Sequence, residues 1–138
     1  MFRILNALLL IALVLIVAVL AITAVPALGD GHLGGQMLMA HMAVSGALVL
    51  LLPVFAVWSL VRYLDPGRST RLARWGFWTV VLTGVATIGT VFVCMLPVLG
   101  TDAMHAMIHW HGLAGWTMLP ATALLVLGSF KKRGAARS

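Results

Sequence analysis

The chain alternates long apolar runs with short polar connections. Four apolar runs lie at about residues 4–28, 37–61, 75–99 and 105–129. Each reaches the ~20 residues that an α-helix needs to cross a hydrocarbon core about 30 Å thick. The first run is also longer than the roughly 7–15 apolar residues of a signal-peptide core, so it is predicted to be a membrane helix. The pattern predicts an all-α membrane protein, a four-transmembrane-helix up-and-down bundle that forms a single domain over residues 1–138.

Composition and charge agree with this prediction and orient the bundle. Charged residues make up 9% of the chain, whereas soluble domains carry about 25%. All nine basic residues lie at Arg3, in residues 62–74 or in residues 131–137, and the other two connections contain only Asp30 and Asp102 as charged residues. By the positive-inside rule both termini are cytoplasmic, which predicts a multi-pass protein of the inner (cytoplasmic) membrane. Contact with anionic lipid headgroups accounts for the net charge of +6 without nucleic acid.

The segment MHAMIHWH places three histidines at the outer end of the fourth run. His105 and His109 are four residues apart and share a helix face, whereas His111 points about 200° away from His109. His41 lies at the same end of the second run. An ionisable residue inside a membrane helix is costly and marks a functional site by default. His41 and one of the pair His109 and His111 are therefore candidate metal ligands.

An internal repeat selects one histidine of the fourth run. The outer ends of the two predicted hairpins share the order Pro, Gly, Met, His, Gly, Pro. This order predicts two tandem hairpin repeats related by an axis along the membrane normal. With a short gap in the loop, His41 corresponds to His109, and a glycine follows each histidine, Gly46 after His41 and Gly115 after His109.

The repeat places the two matched histidines at one depth. His41 lies 21 residues before Arg62, and His109 lies 22 residues before Lys131. At about 1.5 Å per residue, the two rings are predicted at nearly the same level, close to the outer surface. The second and fourth helices of a square bundle face each other across roughly 12–14 Å, a span that two imidazoles on one metal ion can bridge. His109 is therefore the predicted partner of His41, and His111 is the alternative if the helix is rotated by half a turn.

Several other polar and small residues leave two interpretations open. His105 can either contact a haem propionate or hydrogen-bond to a ligand residue, or it can be solvated by lipid headgroups. For His32, in its glycine-rich loop, solvation by headgroups is expected. The segment LTGVATIGT, residues 82–90, carries Gly84 and Gly89 among three threonines. Such small residues either let two helices pack closely or clear space for a flat macrocycle.

Two segments resemble the four-helix membrane b-type cytochromes, which include cytochrome b561-like proteins and the cytochrome b subunits of hydrogenases and molybdoenzymes. The segments are HMAVSGALVLLLPVFAVWSLVR and HWHGLAGWTMLP, and the resemblance covers helices two to four. It implies haem b with His41 and His109 (or His111) as axial ligands, quinone chemistry and a redox partner. Dihaem members of this class carry a second histidine about four turns further along the same helices, where this chain has apolar, small or tryptophan residues.

The resemblance implies one haem at the outer side and a local role for it. The predicted function is electron transfer between the quinone pool and a redox protein on the non-cytoplasmic side, as a non-catalytic subunit of an oxidoreductase complex. Haem propionates normally pair with Arg or Lys, and the outer connections have neither. Uncharged side chains or a partner protein would have to serve instead, and the departure suggests a missing subunit; the candidate side chains are Gln36, Ser45, Thr101, His32, His105 and Trp110.

Two other functions remain open at the level of sequence. The first is a copper-binding or copper-handling membrane protein, because thioether and imidazole ligands suit copper. Six methionines lie near the predicted outer side: Met37, Met39, Met42, Met95, Met104 and Met107. The second is a structural subunit of a larger membrane complex that carries no cofactor of its own.

Overall fold

A computed structural model of the protein describes residues 2–28 and 33–135, with the side chains of residues 4–28 and 33–130. These ranges form four α-helices and no strand: α1 (Phe2–Ala24), α2 (Gly35–Leu64), α3 (Arg71–Met95) and α4 (Thr101–Ala135). Each helix is long and apolar enough to cross a membrane. The prediction of four helices long and apolar enough to span a membrane is therefore confirmed.

The helix ends differ from the ends of the apolar runs by two to six residues, and the largest difference is at the end of α4. The helix α1 ends at Ala24, and Val25–Ala27 form a short 3₁₀ turn that contains Pro26. Proline fixes its own φ angle and has no N–H to donate, so the helix ends earlier than the apolar run. The helix α4 begins at Thr101, with Asp102 in its first turn, where the helix dipole favours a carboxylate. Backbone hydrogen bonding thus extends this helix beyond its apolar residues.

The described part of the chain divides into two compact units, Met1–Asp65 and Pro66–Ser138. Each unit is a helical hairpin: α1 packs against α2 in the first, and α3 packs against α4 in the second. The assembly of the two hairpins into one bundle, their relation as repeats and their orientation in the membrane stay predictions. Below, the closed end of a hairpin means the end at which the chain passes from its first helix to its second.

The first hairpin packs through a narrow stripe of apolar side chains. The helix α1 contributes Leu13 and Val17, and α2 contributes Leu48, Leu52 and Phe55, all of them buried. The spacing of the α2 residues, i, i+4 and i+7, places them on one helix face. Large apolar side chains elsewhere on both helices are exposed, and such a surface suits contact with the lipid bilayer.

The second hairpin brings two helix backbones together at its open end. A Cβ atom added at Gly76 would lie 2.4 Å from the backbone nitrogen of Leu125, and one at Gly128 would lie 2.3 Å from that of Ala73. Thr70 caps α3 by accepting a hydrogen bond from the Ala73 N–H at 3.1 Å and donates one to the Gly128 carbonyl at 2.9 Å. Close packing of small residues is a usual way for membrane helices to associate. These contacts determine which face of α4 meets α3.

Candidate functional site

His41 lies near the closed end of the first hairpin and contacts the helix that precedes it. Its Nδ1 atom is 2.9 Å from the Thr23 hydroxyl oxygen. That oxygen is also 2.9 Å from the carbonyl of Val19 and 3.0 Å from that of Leu20. A hydroxyl has one hydrogen, and when it is donated to one of these carbonyls the oxygen accepts from an N–H of the ring. This arrangement favours the ring tautomer in which Nδ1 carries the proton.

His111 lies near the closed end of the second hairpin in a similar environment. Its Nδ1 atom is 3.0 Å from the Thr87 carbonyl oxygen and 3.2 Å from the Thr90 hydroxyl oxygen. The Thr90 hydroxyl oxygen lies 3.0 Å from the Ala86 carbonyl oxygen and 2.8 Å from that of Thr87, and its one hydrogen can be donated to either. Because a carbonyl oxygen can only accept, Nδ1 of His111 must carry the proton. In a neutral ring the lone pair then belongs to Nε2, which makes Nε2 the nitrogen able to bind a metal ion.

The two hairpins therefore share one arrangement. In each, a half-buried histidine of the second helix directs its Nδ1 atom to a threonine of the first helix. The partner of His41 is the Thr23 hydroxyl. The partners of His111 are the Thr90 hydroxyl and the Thr87 carbonyl. Metal-binding histidines almost always donate their other ring N–H to an acceptor of this kind, which fixes the tautomer and the ring orientation. Sequence analysis did not single out Thr23, because one threonine in an apolar helix carries no recognisable signal.

The structure separates the three histidines of α4. His111 is half-buried and faces α3, whereas His105 and His109 are exposed within the hairpin. The His109 ring lies edge-to-face against Trp110, with centroids 6.2 Å apart. The residue that corresponds to His41 by its contact with the preceding helix is therefore His111, the alternative ligand of the sequence analysis. The role of His109 as a ligand stays a prediction, and His32 lies outside the described residues.

Glycines near these histidines border open space. A Cβ atom added at Gly46 or at Gly115 would meet nothing within 4 Å. Gly115 follows His111 by four residues, so the two lie on the same face of α4. Gly46 follows His41 by five residues and lies on an exposed part of α2. The space beside Gly115 is of the kind that a flat cofactor next to His111 would need.

The glycines of the segment LTGVATIGT have different environments. Gly84 is buried, whereas Gly89 is exposed and a Cβ atom there would meet nothing within 4 Å. The glycines closest to a neighbouring backbone are Gly76 and Gly128, which the sequence analysis did not select. The sequence signal that could have indicated this close contact was the recurrence of small residues near the start of α3 and the end of α4.

Methionines line the closed ends of both hairpins. Met37, Met39, Met42 and Met95 are exposed, and Met104 and Met107 are half-buried. Within the described residues, no group of three or more His, Cys, Asp and Glu side chains is arranged to hold a metal ion.

The site thus offers one oriented imidazole in each hairpin rather than a cluster of ligands. Each ring has its Nδ1 proton held by the preceding helix, and its Nε2 atom has the electronic form of a metal ligand. Comparison of the chain with protein-family models, with curated proteins and with solved structures finds no match.

Proposed function

We propose that this chain is a membrane subunit that binds haem b and transfers electrons between the quinone pool and a redox protein on the non-cytoplasmic side. The candidate haem-binding residues are His41 in the first hairpin and His111 in the second, and each would offer an imidazole nitrogen to iron. The observation that supports the proposal is the shared arrangement of these rings, each with Nδ1 directed to an acceptor on the preceding helix. Imidazole is a usual axial ligand of haem iron, and bound haem supplies a one-electron redox centre.

The residues present fit such a group in two respects. The donor set suits it, because the contacts of both rings favour the Nδ1-protonated form, in which Nε2 would be the nitrogen that binds iron. A glycine, Gly115, also borders open space one turn from His111. The task of the protein is to hold the rings in one orientation and to surround them with apolar helices. The quinone is proposed from the resemblance of helices two to four to b-type cytochromes.

The ligand assignment is tested by the visible spectrum of the protein purified in mild detergent. We expect a Soret band in the wild type and an α-band after reduction. His41→Ala and His111→Ala should each lose most of the haem, because each removes a ligand. His109→Ala is the matched control, since His109 is two residues from His111 but exposed within its hairpin. We expect that variant to keep its haem.

Each other outcome identifies a different error. Loss of haem in His109→Ala with retention in His111→Ala would replace His111 by His109 as the ligand. A colourless wild type would contradict the proposed function. If that colourless protein binds copper, the methionines of the closed ends are the ligands to examine, because thioethers suit Cu(I).

The proposal includes a partner on the non-cytoplasmic side. Propionates need positive charge or other donors, and the predicted outer connections contain no Lys or Arg. A subunit that docks there can supply these groups and also receive the electrons. Native mass measurement after mild extraction from the membrane is the test. We expect a complex larger than the single chain, and a stable haem-loaded monomer would contradict this part of the proposal.

A further inference from the structure

We infer that Thr23 is a positioning residue: its hydroxyl holds the His41 ring with Nδ1 protonated, so that Nε2 would be the nitrogen that binds iron. The Thr87 carbonyl and the Thr90 hydroxyl hold His111 in the same way. The inference rests on the proposed function for its role toward iron. The proposed function leaves open which residues determine the tautomer and the orientation of each ring, and the inference names them.

The hydroxyl of Thr23 is suited to this role because its own hydrogen is already committed. Its oxygen lies within 3.0 Å of two carbonyls of α1 and 2.9 Å from His41 Nδ1. Thr23 is also buried, with 6% of its surface exposed. An imidazole N–H beside an apolar helix is costly to leave without a hydrogen-bond acceptor. The ring therefore adopts the tautomer that directs its N–H at Thr23.

At His111 the same tautomer follows from the backbone. The Thr87 carbonyl, 3.0 Å from Nδ1, can accept a hydrogen bond but cannot donate one. The Thr90 hydroxyl stands 3.2 Å from the same atom and donates to its own helix. Two hairpins of different sequence thus reach one ring tautomer through different acceptors.

A hydrogen bond at Nδ1 changes the ring as a ligand. It makes the imidazole more basic and fixes its orientation about the metal bond. A more basic ligand stabilises ferric over ferrous iron, so the hydrogen bond would lower the midpoint potential of a haem bound through this ring. Removing the acceptor should therefore raise the potential and weaken haem binding.

The variant Thr23→Val tests this inference, since valine has nearly the same shape and lacks the hydroxyl. Thr23→Ser restores the hydroxyl. The matched control is Thr79→Val, because the Thr79 hydroxyl donates to the carbonyl of Trp75, at 2.9 Å, in the same helical way. All variants are made in the full-length protein.

The first measurement uses haem-free protein labelled with ¹⁵N-histidine. Nitrogen chemical shifts in NMR spectra distinguish a protonated from an unprotonated ring nitrogen, and His41→Ala and His111→Ala assign the signals. We expect protonated Nδ1 at both histidines in the wild type and in Thr79→Val. At His41, Thr23→Val should shift protons toward Nε2, and Thr23→Ser should restore the wild-type signal. Unprotonated Nδ1 in the wild type, or an unchanged His41 signal in Thr23→Val, would overturn the inference.

The second measurement uses the haem-loaded protein. Thr23→Val should raise the haem dissociation constant about 10-fold, the lower end of the effect of such outer contacts, and should raise the midpoint potential. Thr23→Ser should restore both values, and Thr79→Val should leave both unchanged. Haem binding that Thr23→Val leaves unaltered would overturn the inference alone. Failure of the wild type to bind haem would overturn the proposed function, whatever the ring tautomer.

Discussion

The threonines of α3 make the same kind of hydrogen bond, from the side-chain hydroxyl to a backbone carbonyl of their own helix. The hydroxyls of Thr79, Thr83 and Thr87 each donate to the carbonyl four residues earlier, at 2.7 to 2.9 Å. This bond satisfies a polar side chain inside a membrane helix, where no water is available to do so. It also leaves the hydroxyl oxygen able to accept. Thr90 makes the same hydrogen bond and in addition faces His111. Its place on the helix, and not its residue type, therefore distinguishes Thr90 from the other threonines of α3.

Gly115 allows a prediction at the scale of one residue. The open space beside it can take a larger side chain, so Gly115→Leu should leave the hairpin folded, with a gain of up to about 1 kcal/mol in helix propensity. If haem b lies next to His111, the added side chain competes for that space and the haem content should fall more than twofold. The measurement is the ratio of Soret to protein absorbance.

Ala123→Leu is the control for this prediction, because Ala123 is exposed on the same helix. It should retain the wild-type haem content. An unchanged ratio in Gly115→Leu would show that the space beside Gly115 holds no cofactor.

At the scale of elements, the α3–α4 pair depends on backbone contact at its open end. Gly128 places its Cα against the backbone of Ala73, and Thr70 donates to the Gly128 carbonyl. Pairing of helices through small residues is a general feature of membrane proteins. This contact lies far along the hairpin from His111 and does not touch it. Its influence on His111 comes through the rotation of α4 about its axis, which the contact favours.

Replacing Gly128 by alanine should therefore destabilise the second hairpin. The new Cβ atom would fall 2.3 Å from a backbone nitrogen, and overpacking of this kind costs about 1–3 kcal/mol. That cost outweighs the better helix propensity of alanine, which is about 1 kcal/mol. The free energy of unfolding, measured by circular dichroism in micelles of increasing SDS content, is the observable.

Gly112→Ala provides the comparison, since a Cβ atom there would meet nothing within 4 Å. This variant should be as stable as the wild type or slightly more stable. Equal stability of the Gly112 and Gly128 variants would mean that the close approach at Gly128 does not contribute to the pairing of the helices.

At the scale of the whole molecule, the distribution of basic residues predicts the orientation in the membrane. All nine basic residues lie at the termini or between residues 62 and 74. Basic segments are retained on the cytoplasmic side during insertion. An alkaline phosphatase reporter, which is active only in the periplasm, should therefore be inactive when fused after Ser138. The same reporter inserted after Gly100 should be active, and the reverse pattern would contradict the predicted orientation.

The number and type of the helices could be predicted from the sequence alone. In a hydrocarbon layer every backbone N–H and C=O must be satisfied within its own segment, so an apolar run of sufficient length has to be helical. This reasoning needs no knowledge of neighbouring elements. It was inaccurate near the ends of the runs: α1 ends early beside Pro26, both ends of α3 lie four residues earlier than predicted, and α4 extends beyond its apolar run at both ends.

The choice among the histidines of α4 required the tertiary structure. Helical periodicity shows that His109 and His111 lie on opposite faces, but not which face meets α3. That face depends on how α4 is rotated, and the rotation depends on the close approach of Gly76 and Gly128 to their neighbours. The contact between Thr23 and His41 likewise joins residues 18 positions apart on two helices. Periodicity is a property of one helix, whereas a hydrogen bond between two helices depends on how both pack, so only the tertiary structure could identify these pairs.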